Sequence, residues 1–222
     1  MTVLEAINAR HAVRSYTDTP LPAEVVKELS ALVDECNREG KVNIQLITGE
    51  PKAFDSLMAR FGKFSGVANY LAMVGEKSAD GDTRLGYYGE KITLTAQQLG
   101  LNSCWVGSCF SRGKSPAQVA KGEKFACAVV LGYGITQGVP HKSKEMDTLC
   151  QVEGEKPDWF VKGMEAAMLA PTAMNQQKFL ITLSGKDTVS AKSTGGMYSD
   201  IDLGIVKYHF EVGAGKGNFR WA

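Results

Sequence analysis

Slid along itself by 135 positions, the chain lays residues 24–48, EVVKELSALVDECNREGKVNIQLIT, on residues 159–183, WFVKGMEAAMLAPTAMNQQKFLITL, without a gap. Val26 falls on Val161, Lys27 on Lys162 and Ala31 on Ala166. Further on, GLNSCW and KGNFRW match at Asn102 with Asn218 and at Trp105 with Trp221, now at an offset of 116. A chain that repeats a helix-then-strand unit is constrained to fold as two like halves, here about 20–108 and 156–222. At 222 residues it buries a full core either as one domain or as two small ones sharing a core. The copies differ at one place. Where the first has CNREGKV, residues 36–42, the second has the amide-rich PTAMNQQ. So many uncharged donors and acceptors between a helix and a strand suit either a cap or the rim of a flat polar ligand.

The elements follow from apolar spacing. TVLEAINAR reads as a short helix with Thr2 as its N-cap. PAEVVKELSALVDECNRE carries Val25, Val26, Leu29, Leu32 and Val33 at helical spacing and closes at Gly40. VNIQLIT alternates like a strand, NYLAMVG and FACAVVLGYG read as buried strands, and GYYGEKITLTAQQLGLNSCWVG as a helix ending near Gly100 and then a strand. Helix and strand are expected to alternate on to the C-terminus.

Charge narrows the function. A net charge of +1 gives no basic surface for nucleic acid or membrane. No apolar run reaches the roughly 18 residues of a membrane span, and MTVLEAINAR lacks the apolar stretch of a signal peptide. The five cysteines show no CxxC pairing, so a disulfide framework and a zinc site are both unexpected. Cys104 and Cys109 read as packing residues, and a reducing cytoplasm fits. His141 and His209 have no partner at metal-ligand spacing, and Tyr87, Tyr88 and Trp105 read as core.

Two basic spots remain. In ARHAVRSY, Arg10 and Arg14 are placed to point one way in a turn, two guanidinium forks suited to a phosphate. The alternative is two solvated arginines favoured by a helix dipole. In HKSK, Lys142 and Lys144 share a face of an extended stretch and either meet one dianion or stand as surface lysines.

ARHAVRSYTDTPLP, TAQQLGLNSCWVG, LGYG…HKSK and APTAMNQQKF together resemble the signature segments of the FMN-dependent nitroreductase superfamily. In ordinary members the AP(S/T)AxNxQ loop follows the first long helix. Here it follows residue 168, a layout similar to the TM1586-type branch. The resemblance implies an α+β fold, a central mostly antiparallel sheet flanked by helices, as a fused internal pseudo-dimer. Ordinary members are homodimers that bind FMN at the interface; here the second half would stand in for the partner, giving a monomer or weak homodimer. It implies FMN as cofactor, with Arg10, His11, Ala12 and Arg14 at the phosphate, ribityl chain and pyrimidine edge, and Lys142 and Lys144 completing the phosphate pocket. Pro171, Thr172, Ala173 and Asn175 would line the dimethylbenzene and ribityl side, with Gln177 a weaker candidate. Val106, Gly107 and Ser108 would bring backbone near flavin N5 and O4. Ala12 departs from the serine common at its place, which removes one hydroxyl. The implied activity is electron transfer from NAD(P)H to a nitro-aromatic, quinone or similar small acceptor, with no catalytic side chain and no metal. A BluB-like protein, whose reduced FMN reacts with oxygen, and a non-catalytic flavin binder are the neighbouring readings.

Overall fold

The computed structural model describes residues 1–222. Helix α1 (Val3–Ala9) starts at a capping box: the Thr2 hydroxyl accepts from Glu5 N–H, and the Glu5 carboxylate accepts from Thr2 N–H at 2.7 Å. Helix α2 (Ala23–Gly40) buries Leu29, Val33, Cys36 and Gly40, one stripe at helical spacing. Gly40 has no room for a side chain because the Tyr88 ring lies on it. Strand β1 (Asn43–Ile47), helix α3 (Leu57–Phe61), β2 (Asn69–Glu76), α4 (Ala79–Gln98), β3 (Asn102–Val106) and β4 (Glu123–Gly132) complete the first part. Then come β5 (Cys150–Val152), α5 (Asp158–Ala167), β6 (Phe179–Ser184), β7 (Thr188–Ser193), α6 (Ser199–Ala214) and β8 (Arg220–Trp221). Alternation beyond β4 therefore fails twice, where β5 follows β4 and β7 follows β6 with no α-helix between. SGKD turns β6 directly back into β7, with Gly185 at φ 64°, which a residue with a Cβ tolerates poorly.

The strands form two four-stranded sheets rather than one continuous sheet. The first, β1-β2-β4-β3, is wholly antiparallel; in the second, β5-β6-β7-β8, only the β6–β7 pair is antiparallel and both outer pairs run parallel. Strand β2 is buried on both faces, which explains its unbroken apolar run. Leu71 and Met73 enter the main core, while Tyr70, Ala72 and Val74 enter a second core with Phe54, Phe64 and Phe110. The main core is continuous from the first sheet through α4 and α6 to the second.

Two glycines let the central helices touch. A Cβ on Gly86 of α4 would overlap the carbonyl oxygen of Ile201, and one on Gly204 of α6 would overlap the carbonyl oxygen of Thr83. Beside this crossing each helix supplies a buried glutamate. Glu90 of α4 accepts from Trp105 Nε1 at 2.7 Å and sits 2.9 Å from His209 Nε2 of α6. Glu211 of α6 accepts from Trp221 Nε1 at 2.8 Å and from the Tyr87 hydroxyl of α4 at 2.6 Å. Each glutamate thus holds the tryptophan on the strand that follows its own helix and a side chain from the helix opposite.

Candidate functional site

Residues 12–16 run extended, not as a turn, and act as a linchpin. Val13 N–H donates to the carbonyl of Ser103, Tyr16 N–H to Ser65 and Ile135 N–H to Ser15. Arg10 and Arg14 consequently do not share an environment. Arg14 is exposed, whereas Arg10 is buried (5% exposed) with Nε 3.7 Å from Glu90 Oε1. Its Nε and Nη1 have no hydrogen-bond partner, which is costly inside a protein unless a ligand supplies one. His209 reaches the same carboxylate oxygen, with Nε2 2.9 Å from Glu90 Oε1. Its Nδ1 lies 3.0 Å from the carbonyl of Ala166, which only accepts, so Nδ1 carries hydrogen there and Nε2 faces the carboxylate.

From the linchpin a ring of contacts links every segment carrying a sequence-derived site residue. Gly138 (φ 72°) lies against His11 and the carbonyl of Ala12. Four residues on, the carbonyl of Lys142 accepts from Asn175 Nδ2 at 2.9 Å and Gln177 Nε2 at 2.8 Å. Lys144 N–H donates to Gln177 Oε1, and its ammonium donates to the carbonyls of Gln176 and Gln177. The amides of the loop thus knit it to the basic segment, and the Lys144 ammonium is already engaged, while Lys142 stands exposed. Gln176 Nε2 donates to the carbonyl of Met197 at 2.8 Å, and the next residue's hydroxyl, Tyr198, donates to the carbonyl of Gly107 at 2.8 Å. Strand β3 then returns to Ala12 through the bridge at Ser103.

The loop itself is strained. Met174, Asn175 and Gln177 all take positive φ, at 49°, 54° and 46°, a conformation that costs a side-chain-bearing residue about 1 kcal/mol or more. Such clusters belong at ligand clamps. Asp202, on the first turn of α6, holds the strain: its carboxylate accepts from Ala173 N–H at 3.0 Å and from Gln176 Nε2 at 2.8 Å. Pro171 and Thr172 lead into the loop, and Thr172 Oγ1 accepts from Gln177 N–H. Burial pushes the Asp202 carboxyl up to about 6, against those donors, which lower it. The stability this adds is complete below about pH 4 and is lost as the pH rises through 6. Wild type minus Asp202→Asn, compared by urea melts, should fall by up to about 3 kcal/mol between pH 4 and 7. Parallel pH profiles would contradict the assignment.

At the far end of β3, Val106 is buried and four consecutive backbone N–H groups, Gly107 to Phe110, have no hydrogen-bond partner. A cleft of about 560 Å³ opens beside the ring and shares with it Ser143, Lys144 and Gln177. Cys104 and Cys109 are free thiols, and burial pushes Cys104 up, which makes it a packing residue. No group of side chains suits a metal ion, and no helix is long and apolar enough to cross a membrane.

The family model described as "Putative TM nitroreductase" matches residues 2–214. The chain belongs to this nitroreductase family. Among solved structures, the chain resembles one described as a "putative nitroreductase" from Thermotoga maritima, at 23% identity and TM-score 0.70, covering 97% of this chain and 85% of that one. A Desulfovibrio desulfuricans nitroreductase solved in complex with FMN matches at 20% identity and TM-score 0.55, over 71% of this chain and 99% of that one. One from Bacteroides thetaiotaomicron, described as a "putative NADH dehydrogenase/NAD(P)H nitroreductase", matches at 16% identity and TM-score 0.50, over 66% of this chain and 95% of that one. No curated protein sequence matches.

Asp202, Tyr198, Glu90 and Arg112, which contact Ala173, Gly107 and Arg10 of the candidate site, were missed by reading the sequence. The one signal for Tyr198 was the pair Gly195–Gly196 just before it, both at φ near 100°.

Proposed function

We propose that this protein is an FMN-dependent oxidoreductase whose flavin site is assembled within one chain from two related halves, about 20–108 and 156–222. The observation that carries the reading is the run of unpartnered N–H groups at 107–110, set across the Tyr198 bridge from the strained amide loop. These donors suit N5 and O4, the acceptors on a flavin edge. The unpartnered, buried Arg10 nitrogens and the exposed Arg14, Lys142 and His11 side of the ring suit a ribityl phosphate. Pro171, Thr172, Ala173, Asn175 and Gln177 would wall the ribityl and dimethylbenzene side from the second half. Because Asn175 and Gln177 already bond Lys142, their part is to hold the basic segment against the cofactor more than to touch its rim. Ala12 contributes no hydroxyl.

When bound, FMN supplies hydride acceptance from NAD(P)H and electron donation to a small nitro-aromatic, quinone or similar acceptor. The chain supplies binding, orientation and a fixed N–H donor, and no side chain has to act as nucleophile or base. Five free thiols fit a reducing cytoplasm.

Heat release of the cofactor from purified protein is expected to yield FMN; FAD, or no flavin after reconstitution, contradicts the reading. Arg14→Ala should weaken FMN by roughly 10- to 100-fold, the worth of a charge-assisted phosphate contact of about 1.5–3 kcal/mol. Arg38→Ala, near the end of α2 in the CNREGKV segment of the first half, should leave it unchanged; equal losses would put the phosphate elsewhere.

A further inference from the structure

We infer that Tyr198 is a positioning residue that aims the Ser108 N–H at the flavin. The inference rests on the FMN reading above and adds to it a residue that reading does not need.

The carbonyl of Gly107 accepts two hydrogen bonds, from the Tyr198 hydroxyl at 2.8 Å and from Arg112 Nη2 at 2.6 Å. A carbonyl oxygen has two lone pairs, so this one is saturated. The peptide unit between Gly107 and Ser108 is planar and trans, which sets its N–H opposite its C=O. Pinning the oxygen from two sides therefore fixes the direction of the Ser108 N–H, which has no partner in the protein. Bonds accepted by a carbonyl also polarise the N–H of the same peptide and make it a better donor.

Both donors are rigid. Arg112 Nε and Nη2 also donate to the carbonyls of Phe125 and Ala126 at 2.9 and 2.7 Å, and its guanidinium lies 4.7 Å from the Phe110 ring centre. Tyr198 holds a left-handed conformation (φ 59°) at the start of α6, behind Gly195 and Gly196, and the carbonyl of Met197 is tied to Gln176 of the amide loop. Its ring lies so close to Gly107 that a Cβ there would collide with it. The second half thus reaches across and sets a peptide of the first half. A donor fixed toward O4, an acceptor in both redox states whose negative charge grows on reduction, holds the reduced flavin more strongly than the oxidised one, so the hydroxyl raises the reduction potential.

The test is Tyr198→Phe, which removes the hydroxyl and keeps the ring, in full-length protein loaded with FMN. Expected are an unchanged melting temperature and oxidised-FMN affinity within about threefold of wild type. The preference for reduced flavin should fall roughly threefold to tenfold, which at about 30 mV per tenfold for two electrons lowers the midpoint potential by about 15–30 mV. In flavin-free protein the Ser108 amide should exchange with solvent at an altered rate, while amides in β4 do not change. An unchanged potential with an unchanged Ser108 amide, in a variant that binds FMN like wild type, overturns the role of Tyr198 and leaves the FMN reading standing. Wild type that binds no FMN overturns both.

Discussion

Gly204→Ala is expected to destabilise the protein by about 2–4 kcal/mol, although on propensity alone alanine favours a helix by about 1 kcal/mol. The methyl group would be built onto the Thr83 carbonyl oxygen and close to the Tyr87 N–H, backbone atoms that no rotamer change moves aside. Helices α4 and α6 must then separate at the centre of the core, and every contact between the two sheets that passes through them is stretched. Gly86→Ala, against the Ile201 carbonyl, should cost a similar amount. Gly217→Ala is the control, since nothing lies within 4 Å of a Cβ there and its backbone is not left-handed. Urea unfolding checks the three together. Equal midpoints for Gly204→Ala and Gly217→Ala would mean the helices do not meet at these glycines.

Glu90→Ala should cost about 3–5 kcal/mol, and much more than Glu211→Ala. Glu90 is fully buried, and its removal strands the Trp105 indole N–H, the His209 ring and a guanidinium that already lacks partners. The other glutamate lies at the edge. Its neighbour Lys216 is mostly exposed, so water replaces part of what Glu211→Ala removes. Denaturant melts that rank the two variants equally would contradict the central role of Glu90. Because Glu90 also faces Arg10, its loss should weaken FMN as well, in a titration made where the variant is still folded.

The legibility of the chain followed where its energy is local. The Thr2 cap, the α2 stripe and the apolar runs of β2 and β4 depend on near neighbours in sequence, and each stands where its pattern puts it. The first two turns of α4 were hidden because ADGDTRLG joins acidic residues to glycines, and one of these, Gly86, is there for α6, where it meets Ile201, 115 residues away. Glu90 lies in GYYGEK, where no motif marks the glutamate as buried; only the crossing at Gly86, one turn earlier, turns that face inward. The hairpin β6–β7 escaped because TVSAKS is polar on its open side. At the candidate site, the basic and amide segments were legible as motifs. What they bond to was not, since Asn175 and Gln177 reach a carbonyl more than 30 residues away. The donors on Gly107 come from Tyr198 and Arg112, which carry no motif of their own.

The central claim is a flavin site completed inside a single chain, and FMN titration combined with molecular mass in solution, at decreasing protein concentration, tests it most directly. One FMN per 24.0 kDa chain, retained by a monomer, is the expected result. Flavin lost in step with the dissociation of a dimer would show that the loop around Asn175 reaches the cofactor from another molecule, and the single-chain site would be wrong.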